Sequence, residues 1–159
     1  MGLSIVCVGK LRERFYAEAV AEYVKRMAAL TPCAVLEVAD EPEPKQLTDA
    51  AIERTLRAEG ERLLAKLVPS AYVVALCIDA KQPTSEALAE RIRGLQLTGR
   101  SDIAFVIGGS LGLHAGVLAR ADERMGLSRM TLPHQLARVV LAEQLYRALK
   151  INAGQRYHK

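Results

Sequence analysis

The sequence predicts an α/β domain: one parallel sheet with helices on both faces. Three observations predict it. Apolar runs of strand length alternate with longer stretches of helical periodicity, in the order βαβαβαβαβα. Two of the runs, residues 71–78 and 103–107, are apolar almost without interruption, as strands covered on both faces are. The 159 residues, half of them apolar, amount to a single domain, residues 1–159, able to bury a core without metals or disulfides.

The elements follow in order. Leu3 to Val8 reads as a first strand ending at Gly9. Tyr16, Val20, Tyr23, Val24 and Met27 then recur on one helical face, and Thr31-Pro32 stops that helix. Ala34 to Val38 is a second strand, followed by the acidic, proline-bearing loop Asp40-Glu41-Pro42-Glu43-Pro44. Ile52, Leu56, Leu63 and Leu67 mark a second helix ending near Pro69. After the strand Ala71 to Ile78, Thr84 is the expected N-cap of a helix carrying Leu88, Ile92 and Leu95. The strand Ile103 to Ile107 runs into Gly108-Gly109. A short helix from Gly116 to Ala121, a short strand from Leu127 to Leu132 and a last helix from Gln135 to Lys150 complete the chain.

Composition excludes several classes. No apolar run reaches the roughly 18 residues of a membrane span, and the strand-like start lacks a signal peptide's basic lead, so a cytoplasmic protein is expected. Cys7, Cys33 and Cys77 sit in apolar runs without a Cys-x-x-Cys pair and read as small buried thiols. His114, His134 and His158 match no metal-ligand spacing, so no metal is expected. The net charge of +4 is modest, but after Glu143 every charged residue is basic: Arg147, Lys150, Arg156 and Lys159. A polyanionic partner at the C-terminus and a merely solvated tail both fit that pattern.

In parallel sheets, ligands bind beyond the carboxyl ends of strands. Three such ends are unusual here: Leu76 to Lys81, Ile107 to Gly112, and Leu127 to Leu132 before Pro133-His134. Gly108-Gly109 allows a sharp bend or a close ligand approach, and spacing leaves a plain turn and a binding loop level. It is neither the dinucleotide fingerprint nor the phosphate loop. The last helix is apolar over most of its circumference, through Leu136, Val139, Val140, Leu141, Leu145, Tyr146 and Leu149. That suggests burial against its own sheet and a second subunit, with a two-fold homodimer the commonest closure. Glu143 and Arg147 stand at i, i+4 and read first as an exposed pair. Tyr157-His158 among basic residues suits stacking on unpaired RNA bases, and equally a frayed terminus.

Three strings then match a family: Phe105-Val106-Ile107-Gly108-Gly109-Ser110 with Gly112-Leu113; Met130 to Gln135; and Arg138 to Ala148 with the closing Tyr157-His158-Lys159. Over essentially its full length the chain resembles the RlmH (YbeA-like) family of SPOUT-class RNA methyltransferases. The resemblance implies a SPOUT-type trefoil knot threaded by the C-terminal helix. It implies S-adenosylmethionine held by three loops at Leu76, at Gly108, and at Leu127, Ser128, Arg129, Met130, Thr131 and Leu132. It implies methylation at N3 of a pseudouridine in the helix 69 loop of 23S ribosomal RNA, on the assembled ribosome. His134, Arg147, Tyr157 and His158 are the catalytic candidates, because the N3 proton must leave and a base or cation must assist. Cys77 stands where some relatives carry an acid. The rival readings are a non-catalytic ribosome-binding protein of the same fold and an α/β enzyme for a small molecule.

Overall fold

The computed structural model describes residues 2–157; Met1, His158 and Lys159 lie outside the described residues. Five strands and five helices alternate: β1 (Gly2–Val8), α1 (Arg14–Met27), β2 (Cys33–Val38), α2 (Asp49–Lys66), β3 (Tyr72–Leu76), α3 (Ser85–Leu97), β4 (Asp102–Ile107), α4 (Ala115–Arg120), β5 (Glu123–Met125) and α5 (His134–Asn152). The strands pair in the order β2-β1-β4-β3-β5, all parallel.

Alternation along the central strands sorts the core into two layers. Leu3, Ile5 and Cys7 of β1 and Ile103, Phe105 and Ile107 of β4 face α1, α3 and α5, meeting Met27, Ile92, Leu141 and Leu145. Val6, Val8, Ala104 and Val106 face the other way, onto Leu63 of α2 and Val117 of α4. Each large side chain withdrawn from water on these faces contributes about 1.5–3 kcal/mol, which is why both faces of β1 and β4 hold helices.

Local signals place the helix starts. Thr48 accepts from the Ala51 amide at 3.2 Å and Thr84 from Ala87 at 3.1 Å, each meeting a donor that the first turn leaves unpaired. His114 caps α4 through Nδ1, accepting from Gly116 at 3.1 Å, while its Nε2 meets Glu53 at 2.8 Å. No residue of α5 is exposed, in keeping with its broad apolar surface.

Three expectations need correction. The last strand is Glu123–Met125, and residues 127–132 are a loop. As an edge strand paired only with β3, β5 has only Met125 buried, while Leu127, Met130 and Leu132 beyond it line a cavity, Leu127 also packing on the core. The third strand stops at Leu76, and Ile78 beyond it is 70% exposed. Of the three thiols only Cys7 is fully buried; Cys33 and Cys77 are half-buried.

Candidate functional site

Parallel pairing brings the carboxyl ends of β3, β4 and β5 to one edge of the sheet, where the loops that follow them close around a cavity of about 520 Å³. Backbone contacts fix these loops. Cys77 N donates to Met125 O at 2.9 Å and Gly126 N to Lys81 O at 3.0 Å, stitching the loops after β3 and β5 together. Gly126 allows this closeness, since a Cβ there would lie 2.7 Å from Ala80 O. In the loop after β4, Gly109 and Gly112 form an antiparallel bridge, and Gly112 takes a φ of +93°. A Cβ on Gly108 would stand 2.3 Å from Gly112 O, so residue 108 must be glycine for the loop to fold back on itself.

The cavity gathers Leu76, Gly108, Leu127, Ser128, Met130, Thr131, Leu132 and His134 from the sequence candidates. Arg129 belongs to the same loop but is not among the lining residues. Ile107, Leu113 and Met125 supply apolar walls, and Ile78 and Met130 stand largely exposed. Among the described residues no Asp, Glu, Lys or Arg lines the cavity, and the titratable side chains that do are Cys77 and His134. Burial pushes the Cys77 thiol up, while burial and then the Arg138 charge push His134 down, against the pull of Asp40. Both groups are therefore biased toward their neutral forms.

Two buried charged residues brace this edge, and periodicity did not single them out. Arg138 is 1% exposed and donates to Glu37 Oε1 at 2.6 Å, Val8 O at 3.2 Å and Gly9 O at 3.0 Å. Glu59 is 5% exposed, accepts from the Glu41 amide at 3.0 Å and lies under Gly109, whose hypothetical Cβ would sit 3.2 Å from Oε2. Burial raises the Glu59 carboxyl above its usual range. A charged residue interrupting an apolar helical face was the available signal for each.

The other catalytic candidates lie elsewhere. Arg147 is thirteen residues beyond His134 on α5, about 20 Å along the helix axis. It donates from Nε at 3.0 Å and from a terminal nitrogen at 2.6 Å to Glu143 Oε1. Both partners are half-buried or better, at 24% and 18% side-chain exposure, so the pair is not the exposed one expected; Tyr157 and the aromatic surface of α5 shield it. Tyr157 donates to Glu143 at 3.2 Å, lies under the Arg147 guanidinium at 4.7 Å and meets Tyr146 edge-on at 4.8 Å. The tail is therefore packed, not frayed, as far as Tyr157. Burial, reinforced by Glu143, pushes its phenol up to about 12. His158 lies outside the described residues.

Comparisons with known proteins agree in kind. A family model described as "Predicted SPOUT methyltransferase" matches residues 1–158. The chain is 50% identical to the Ribosomal RNA large subunit methyltransferase H of Lysinibacillus sphaericus (strain C3-41), over all of both chains. It is 48% identical to the protein of that name from Listeria monocytogenes serovar 1/2a, again end to end. Among solved structures, a probable methylase family protein from Haemophilus influenzae Rd KW20 superposes with a TM-score of 0.54 at 14% identity, over 99% of this chain and 70% of that one. A probable methyltransferase from Bordetella pertussis Tohama I gives 0.54 at 16%, over 92% and 95%. At those identities the structures speak to the fold.

Proposed function

The chain belongs to the SPOUT methyltransferases, and within them to the RlmH family whose members it matches end to end; from that premise we propose that it methylates large-subunit ribosomal RNA using S-adenosylmethionine. The observation that carries the reading is the uncharged cavity where the loops after three parallel strands meet the first turn of α5. Its volume suits a nucleoside joined to an amino acid. Its apolar walls suit an adenine, and the loop amides and carbonyls suit the polar ends. The finer reading is methylation at N3 of a pseudouridine in the helix 69 loop of 23S ribosomal RNA, on the assembled ribosome in the cytoplasm.

When bound, S-adenosylmethionine supplies an electrophilic methyl carbon activated by a sulfonium. The protein's share is positioning and exclusion of water. The backbone of residues 76–78, 108–112 and 127–132 would hold the donor, with Ile107, Leu113, Met125 and Leu132 shutting water out. His134, biased to neutrality at the cavity edge, can accept a hydrogen bond from N3–H of the target base and take up that proton as the N3–methyl bond forms. Arg147, anchored by Glu143, can stabilise the anion left when the N3 proton departs. Tyr157, its pKa well above neutrality, acts as a hydrogen-bond donor and not as a base.

Because Arg147 sits far along α5 from the cavity of its own chain, and Tyr157 packs beside it, the reading includes a two-fold homodimer. One protomer's cavity would then meet its partner's C-terminal cluster. The half-buried Leu136, Val139 and Val140 of α5 support such an interface. The trefoil knot belongs to the same reading, with α5 threaded beside the loops that wall the cavity.

The test is transfer of labelled methyl from S-adenosylmethionine to ribosomes of a strain lacking its own copy of the enzyme. Label confined to the helix 69 fragment is expected. Binding of the donor by calorimetry without any label in 23S RNA would defeat the proposal in favour of a non-catalytic ribosome-binding protein.

A further inference from the structure

Arg138 is a guanidinium side chain buried on α5, where an aliphatic residue would pack without a desolvation penalty. All three of its acceptors lie at the carboxyl ends of β1 and β2, the edge of the sheet that holds the cavity. The acceptors are themselves arranged. Successive carbonyls of a strand point to opposite sides, yet Val8 O and Gly9 O both reach the same terminal nitrogen, at 3.2 and 3.0 Å. Gly9 has a φ of +81°, a conformation that side-chain-bearing residues rarely adopt, and it turns the second carbonyl toward the guanidinium. The Gly9 amide is held in turn by Val38 O at 2.8 Å. Nε of Arg138 is buried with no hydrogen-bond partner among the described residues, so the terminal nitrogens carry the hydrogen bonds given for this side chain.

Along α5, His134 lies one turn before Arg138 and Ala137 lies next to it; both line the cavity, as does Pro133 at the helix start. Pro133 provides no side-chain cap, so the entry of α5 is not secured in the way that Thr48 and Thr84 secure α2 and α3. The clamp one turn further in replaces that anchor.

We propose that Arg138 is a positioning residue for the cofactor cavity: bridging Glu37, Val8 and Gly9, it fixes the wall formed by Pro133, His134 and Ala137 against which the methyl donor packs. The inference rests on the reading of that cavity as the S-adenosylmethionine site. It makes Gly9 part of the same device, although Gly9 itself does not line the cavity.

The experiment measures S-adenosylmethionine binding by calorimetry, thermal stability, and the KM for the donor against kcat. The proteins are wild type, Arg138→Met, Arg138→Lys, Glu37→Gln, Gly9→Ala and a control, Leu95→Ala. Leu95 is buried in the last turn of α3, at the opposite edge of the sheet. Arg138→Met and Gly9→Ala are each expected to raise Kd and KM at least tenfold at a temperature where they remain folded. Arg138→Lys and Glu37→Gln should raise them by smaller factors, with kcat at saturating donor within threefold of wild type. Leu95→Ala should lose stability yet bind within twofold of wild type. If Arg138→Met fails to fold, Arg138→Lys, Glu37→Gln and Gly9→Ala decide the matter. Donor binding within twofold of wild type in every folded clamp variant would overturn the proposal. Wild type that does not bind S-adenosylmethionine would instead remove the reading of the cavity and the proposal with it.

Discussion

The two ends of α5 are built on opposite plans. Around its first turn the cavity is uncharged and made largely of backbone, from loops that glycines allow to pack within hydrogen-bonding distance. Around its fourth turn the groups are ionic and aromatic: Glu143, Arg147, Tyr146 and Tyr157. A neutral pocket holds a donor without stabilising one protonation state of it. An ion-paired, half-buried arginine can meet developing negative charge but encloses no ligand. Each end therefore lacks what the other has, and about 20 Å of helix separates them within one chain. The two plans suit one reaction when a second protomer brings the ends together.

The largest expected effects break one end at a time. Gly108→Val forces a side chain into the Gly112 carbonyl, so donor affinity should fall by at least about 30-fold, or about 2 kcal/mol, with activity lost in parallel. Arg147→Ala should lower kcat by about 100-fold while calorimetry finds donor binding within twofold of wild type. Mixed dimers sharpen the contrast. If each site draws its cavity from one protomer and Arg147 from the other, a dimer of one Gly108→Val chain and one Arg147→Ala chain holds one intact site and one doubly damaged site. It should regain about half of wild-type activity. A dead heterodimer would place both ends of the site in one chain.

The same contrast explains what could be read beforehand. β1 and β4 were legible because they are buried on both faces and apolar throughout, so alternation and core agree. β5 was not. An edge strand with one buried residue carries almost no pattern, and the apolar residues just beyond it, Leu127, Met130 and Leu132, line the cavity and mimic a strand's apolar run. The cavity loops could be singled out as unusual carboxyl ends of strands, and the family resemblance gave them a ligand, whereas Gly126, which lets two of them pack, and Arg138 beside them depend on distances between segments remote in sequence. Arg138 meets Glu37 across 101 positions, which no local window can register.

A smaller effect tests the neutrality of the cavity. Burial and then Arg138 hold the pKa of His134 below its ordinary value. With the folded value below the unfolded one of about 6.5, its neutral form favours the fold above that pH. That contribution is lost as pH falls from about 6.5 toward the folded value. Donor binding followed by calorimetry should accordingly stay flat from pH 8 to 6.5 and weaken below, and His134→Asn should flatten the acid limb. Continued weakening between pH 8 and 6.5 would mean that the imidazole already carries charge in the working range.

The smallest effect is expected at Cys77, where the two plans can be told apart within one residue. Its amide is committed to Met125 O at 2.9 Å and its carbonyl lies 3.2 Å from where a Cβ on Gly126 would stand, so the backbone holds the loop. The half-buried thiol lines the cavity with its pKa raised by burial, Arg124 opposing and Asp79 adding to the shift. The thiolate is thus scarcer at pH 7.5 than for a free cysteine, and iodoacetamide should label Cys77 more slowly than a model thiol. Saturating S-adenosylmethionine should slow labelling further by covering the sulfur. Cys77→Ser keeps every backbone contact and exchanges one small neutral group for another, so its donor affinity should remain within twofold of wild type. A tenfold loss would mean that the loop after β3 reads its ligand through a side chain, and the contrast between a backbone-built cavity and a side-chain-built cluster would fail at that loop.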